Sequence, residues 1–138
     1  MSGITGVDDG GAARGHVLVA EDDPQIRTAL FRFMRMQGYT VVAAADGCAA
    51  VALARTRPPD IVLLDIGMPG KGGLEVLKEL VPEMPDTGFI IITGNEDERV
   101  ALTCLRLGAF DYLPKPADLD TLAQCVKAWL LARRPPAC

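Results

Sequence analysis

Residues 59–73 read PDIVLLDIGMPGKGG, and within them Ile61, Val62, Leu63 and Leu64 form an unbroken apolar run. A run that short and continuous reads as a strand buried on both faces, as in a parallel sheet covered by helices on both sides. Asp65 ends it. A carboxylate is costly to bury without a partner, and open α/β sheets place their ligands at the C-terminal ends of their strands. Asp65 therefore reads as a surface-reachable reactive group. From this stretch alone, an Asp that merely caps the following loop is the alternative.

Outward from that strand the chain alternates. Upstream, the run HVLVA at 16–20 stops at Glu21, Asp22 and Asp23. Pro24 suits the first turn of a helix with Asp23 as its N-cap, and Ile26, Leu30, Phe33 and Met34 recur at helical spacing until Gly38. Residues 39–44 form a second β-leaning run, and Asp46-Gly47 opens an alanine-rich helix that ends before Pro58-Pro59. Downstream, Leu74, Val76, Leu77 and Leu80 predict a helix closed by Pro82 and Pro85. A fourth apolar run at 89–92 ends at Thr93-Gly94. Asn95 with Glu98 predicts a capped helix through Leu107, terminated by Gly108. Residues 110–113 form a fifth strand before Lys115-Pro116, and a last helix spans about 118–131. Trp129 flanks its apolar stripe, and of two readings, a contact residue for a partner or ordinary packing against the domain's own edge, the second is favoured. Five strands alternating with five helices predict an α/β fold, a doubly wound five-stranded parallel sheet with five helices. One domain is expected at 16–133, between a flexible Gly-rich tail at 1–15 and a short tail at 134–138.

With 49% apolar and 23% charged residues, the chain has globular composition and can bury a core unaided. A net charge of -4, with no basic cluster interleaved with aromatics, predicts no direct nucleic-acid partner. No apolar run approaches the roughly 18 residues that a membrane span needs, and no basic-then-apolar leader is present, so a cytoplasmic location is expected. Cys48, Cys104, Cys125 and Cys138 are scattered, without a Cys-x-x-Cys pair and with only His16 to share a metal. They read as free thiols, the first three as small apolar fillers.

In a parallel sheet, Glu21, Asp22, Asp65, Thr93 and Lys115 all fall at C-terminal strand ends and converge on one crevice. Three carboxylates so close repel one another unless a divalent cation sits among them, and oxygen-only ligands suit Mg2+. With the acids neutralised, Asp65 can act as a nucleophile on a phosphoryl group. Lys115 then supplies a point charge and Thr93 a hydroxyl donor to its oxygens.

The segments VLVAEDDP, PDIVLLDIGMPG, IIITGN and GAFDYLPKP, within 16–133, make the chain similar to the response-regulator receiver domains of two-component phosphorelay signalling. That resemblance implies a flavodoxin-like strand order 2-1-3-4-5, as in the CheY-like superfamily, and Asp65 as phosphoacceptor. It implies Glu21 and Asp22 as the acidic pair, with Asp22 the direct metal ligand, and the Gly67 carbonyl as a further ligand. Thr93 and Tyr112 fall at the switch positions, Lys115 at the phosphate-binding lysine, and a cis bond is implied at Lys115-Pro116. The implied donor is a sensor histidine kinase or phosphotransfer protein. The implied output is a domain or partner controlled through the fourth helix, fifth strand and fifth helix, with dimerisation on phosphorylation as one form. Such a domain is no conventional enzyme, catalysing only its own aspartyl phosphorylation and dephosphorylation. Gly67 and Asn95 stand at two positions that in the family govern water access, and Gly72 replaces a more usual polar residue, which predicts a looser loop. A phosphorylation-independent docking module and an aspartate-nucleophile phosphatase are the competing readings. The latter commonly carries a second Asp two residues after the nucleophile, where this chain has Gly67.

Overall fold

The computed structural model describes residues 14–94 and 97–133. The elements run β1 (His16–Ala20), α1 (Pro24–Met36), β2 (Thr40–Ala44), α2 (Gly47–Thr56), β3 (Ile61–Leu64), α3 (Gly73–Leu80), β4 (Gly88–Thr93), α4 (Glu98–Leu107), β5 (Asp111–Pro114) and α5 (Leu119–Arg133). All pairings are parallel, in the order β2-β1-β3-β4-β5, as expected.

Alternation along the strands divides the core into two layers. Leu18, Val62, Leu64, Phe89 and Ile91 face Ala50, Val76, Leu77 and Cys104 from α2, α3 and α4. Val17, Ile61, Leu63 and Ile90 face Leu30 and Met34 of α1 and Leu122 and Val126 of α5. Because both faces are covered, β1, β3 and β4 are buried along their whole length, which is why they read as continuous apolar runs.

Element ends follow local chemistry. The Asp23 carboxylate accepts from the amides of Gln25 and Ile26 ahead of α1, and Asp46 accepts from Ala49 ahead of α2. Asp97 caps α4 by accepting from Arg99 N–H, so the helix starts at Glu98. The cap predicted at Asn95 falls outside the described residues, as do the segments 1–13 and 134–138. Gly108 ends α4 at φ +115°, in the left-handed region that glycine enters freely. Residues 14–15, expected within the flexible tail, are held instead: Arg14 N–H donates to Gly38 O at 3.0 Å and Thr40 N–H to Gly15 O at 2.9 Å, tying them to the start of β2.

Cys104 is buried and Cys125 half-buried, its thiol donating to Asp111 Oδ2 at 3.1 Å. Burial and that carboxylate push the Cys125 thiol up to about 11. Cys48 departs from the expected filler role. It is exposed, because the second position of α2 points away from the sheet that Ala50, Val51 and Ala54 pack upon.

Trp129 packs inward, as expected. Its indole lies on Gly88, where a Cβ would come within 2.6 Å of the ring, and meets Phe110 edge-on at 5.3 Å between centroids. Its buried Nε1 has no hydrogen-bond partner among the described residues.

At the opposite edge of the sheet from Asp65, Asp60 gathers several elements. Its Oδ2 accepts His16 N–H at 2.7 Å, its carbonyl accepts Gly88 N–H, and its Oδ1 pairs with Arg133. His16 is buried there with Nδ1 2.9 Å from Thr40 Oγ1. Burial, aided by Arg57 and opposed by Asp60, holds the imidazole below its ordinary 6.5. As pH falls below 6.5, the unfolded chain takes up a proton that the folded chain refuses, so stability declines through that window. Urea melts between about pH 5 and 7 should show that slope in the wild type and a flatter one in His16→Gln.

Candidate functional site

Parallel pairing brings the ends of β1, β3, β4 and β5 to one edge, and the site forms there. Glu21 N–H donates to Ala44 O at 3.0 Å and Asp65 N–H to Ala20 O at 3.0 Å, so both acids extend the ladder by one residue beyond their strands. Both are buried, at 1% and 5% exposure, so Asp65 is more enclosed than the surface-reachable acid expected, its carboxylate facing Lys115. Lys115, placed by its own N–H on Thr93 O at 3.0 Å, puts Nζ 2.8 Å from Glu21 Oε1 and 3.4 Å from Asp65 Oδ2. The Lys115-Pro116 bond is cis. Glu21 Oε2 accepts Asp23 N–H at 3.0 Å, and Asp65 Oδ1 accepts Gly67 N–H at 3.3 Å.

Asp22 is exposed, yet one carboxylate oxygen each from Glu21, Asp22 and Asp65 lie within 4.8 Å of one another. Two of the three acids, Glu21 and Asp65, thus share one ammonium. Burial raises the Glu21 carboxyl above its ordinary range, against the opposing hydrogen bond from Lys115. Burial alone would lower Lys115, but the Glu21 hydrogen bond and the Asp65 charge outweigh it and hold the ammonium above its usual value.

Thr93 is buried at the end of β4, on the same face of the sheet as Phe89 and Ile91. Tyr112, opposite Ile91 in β5, packs against that same layer. Burial, then the neighbouring Cys104 and Asp97, raise its phenol above the ordinary range. Gly67 is exposed beside Asp65, and a Cβ there would still stand 3.9 Å from Asp65 Oδ2.

The structure also reveals the supports of the loop after Asp65. A Cβ on Gly73 would lie 2.3 Å from Asp65 O, and one on Gly47 would lie 2.0 Å from Lys71 O. Lys71 pairs with Glu79, and Arg55 bridges Glu79 and Glu83 at 2.9 and 2.6 Å, joining the loop to α3 and α2. Gly72 offers no capping side chain, and the Glu75 carboxylate accepts its N–H at 3.2 Å instead. The sequence signals only that the loop is rich in glycine. Which glycines are pressed against backbone is a tertiary fact.

Residues 17–127 match the family model described as the response regulator receiver domain. Among curated proteins, the DNA-binding transcriptional regulator NtrC of Salmonella typhimurium is 39% identical over 114 residues, 83% of this chain and 24% of that protein. The response regulator MprA of Mycobacterium sp. (strain KMS) is 38% identical over 120 residues, 87% of this chain and 52% of that protein. The chain therefore spans about a quarter to a half of the length of these relatives. Among solved structures, the receiver domain of the Francisella response regulator 1452 aligns with a TM-score of 0.81 at 29% identity, covering 87% of this chain and 99% of that one. No helix among the described residues is long and apolar enough to cross a membrane. An acid cluster facing one lysine at the strand ends, on a 2-1-3-4-5 parallel sheet, agrees with these matches: the chain belongs to the response regulator receiver domain family of two-component signalling.

Proposed function

We propose that this chain is a phosphorylation-activated switch that takes a phosphoryl group onto Asp65 from a phosphohistidine of a sensor kinase or phosphotransfer protein. The observation that carries this reading is the shared ammonium: Lys115 reaches both Glu21 and Asp65, leaving three clustered carboxylates short of positive charge. An oxygen-only donor set with one exposed acid fits Mg2+, which keeps several waters and works beside phosphates. Glu21, Asp22 and Asp65, with the Gly67 carbonyl, would hold it. When bound, the ion neutralises charge on the acids and on the transferring phosphoryl oxygens.

The Asp65 carboxylate attacks phosphorus. A new P–O bond forms as the P–N bond breaks, and the imidazole nitrogen leaves with the electron pair. Lys115 then pairs with one phosphoryl oxygen and the Thr93 hydroxyl donates to another. The added charge, about one and a half to two negative units, draws Thr93 toward it, and Tyr112, on the same face, turns into the space left. The readout surface is α4-β5-α5, where Leu102, Leu105, Phe110 and Leu119 are exposed and suit an output domain, a partner protein or a second copy. The setting is cytoplasmic.

Gly67, two residues after Asp65, argues against the phosphatase reading, and the complete set of acids, Thr93 and Lys115 argues against a pure docking module. Incubation with magnesium and acetyl phosphate, read by intact mass, tests this. Wild type gains one phosphoryl mass and Asp65→Asn gains none. Equal inertness of the two proteins would return the domain to a docking role.

A further inference from the structure

Arg27 stands in the first turn of α1, which has no acidic residue, at the helix end where a cation is disfavoured by the macrodipole. Its guanidinium folds back over that end. One nitrogen, Nη1, donates to Glu21 O at 2.9 Å and to Asp22 O at 3.2 Å. These are the carbonyls of the acidic pair, in the turn between β1 and α1. The same turn is fixed from its other side by Asp23, whose N–H donates to Glu21 Oε2 and whose carboxylate caps the helix. Glu21 is further held by the β-ladder and by Lys115, whereas the exposed Asp22 has neither of those restraints.

We infer that Arg27 is a positioning residue for magnesium binding: by clamping the Glu21 and Asp22 carbonyls, it aims the Asp22 carboxylate at the cluster it shares with Asp65. The inference rests on the metal reading proposed above. Partners that orient ligands without touching the metal commonly carry about 10- to 100-fold in metal affinity. The guanidinium also opposes the cation by charge, but it is spent on two carbonyl acceptors and faces backbone. Loss of ligand order therefore outweighs relief of repulsion.

The test is a magnesium titration of the full chain followed by amide NMR at Asp22 and Gly67, on wild type, Arg27→Ala, Arg27→Gln and Arg27→Lys, with melting temperatures in metal-free buffer. Arg27→Ala and Arg27→Gln should weaken magnesium binding about tenfold. Arg27→Lys, which keeps a donor and the charge, should recover part of the loss. Acetyl phosphate labelling should return toward the wild-type rate at saturating magnesium, a restoration that general unfolding would not give. Should Arg27→Ala fail to fold, the Gln and Lys variants carry the comparison. Wild type that binds magnesium, with variants that bind it equally or more tightly, overturns the role of Arg27 alone. A wild type that does not bind magnesium overturns the metal reading and this inference together.

Discussion

Replacing Lys115 by methionine should lower the stability of the metal-free chain by about 2–3 kcal/mol, because it strands two carboxylates that are almost wholly buried. Glu21 and Asp65 are 1% and 5% exposed, and the Lys115 ammonium is the cation that the site provides to both. Methionine fills much of the lysine stem's volume, so packing is largely kept and the loss is electrostatic. The same change should enlarge the rise in melting temperature that magnesium produces, since more carboxylate repulsion is left for a divalent cation to relieve. Denaturant melts with and without magnesium read both effects. A variant as stable as wild type, or with a smaller magnesium response, would contradict the shared-ammonium account.

The second large effect is expected at a residue with no reactive group. Gly47→Ala places a methyl 2.0 Å from Lys71 O and 2.8 Å from Lys71 C, both backbone atoms that cannot swing aside as a side chain end could. Either α2 or the loop bearing Asp65 must shift, at a cost of about 3 kcal/mol. Phosphoryl labelling should slow as well, because the displaced segment runs from Lys71 back to Asp65. Gly94→Ala is the control, since nothing among the described residues lies within 4 Å of its Cβ position and a change within about 0.5 kcal/mol is expected. Urea melts of the two variants, with labelling rates measured alongside, make the comparison.

These two positions mark how far the sequence reaches. Lys115 is legible because parallel strands carry their C-terminal residues to one edge, so that Glu21, an Asp, a Thr and a Lys spread over nearly a hundred residues are brought together by topology alone. The apolar runs of β1, β3 and β4 were legible for the same reason that they are buried, with helices on both faces. Gly47 read only as a residue that opens a helix. Its need for a bare Cα comes from Lys71, a neighbour created by packing α2 beside the loop after β3. Arg27 gives no such signal, because its partners are carbonyls, which every residue has. Cys48 differs from its expected place because one residue of helical phase decides between core and solvent in α2, where Ala50 and Ala54 are buried but Ala52 is exposed.

The seat of Trp129 has an optical consequence. It is the chain's sole tryptophan, and it rests on Gly88 at the first residue of β4, whereas Thr93 closes that strand at the other end. Five residue steps of strand place the indole about 16 Å from the sheet edge that bears Asp65, too far for a phosphoryl group proposed there to quench it by contact. Any change in its emission on phosphorylation therefore reports α5 shifting on its seat, giving the protein an intrinsic gauge of signal passage, readable without a label.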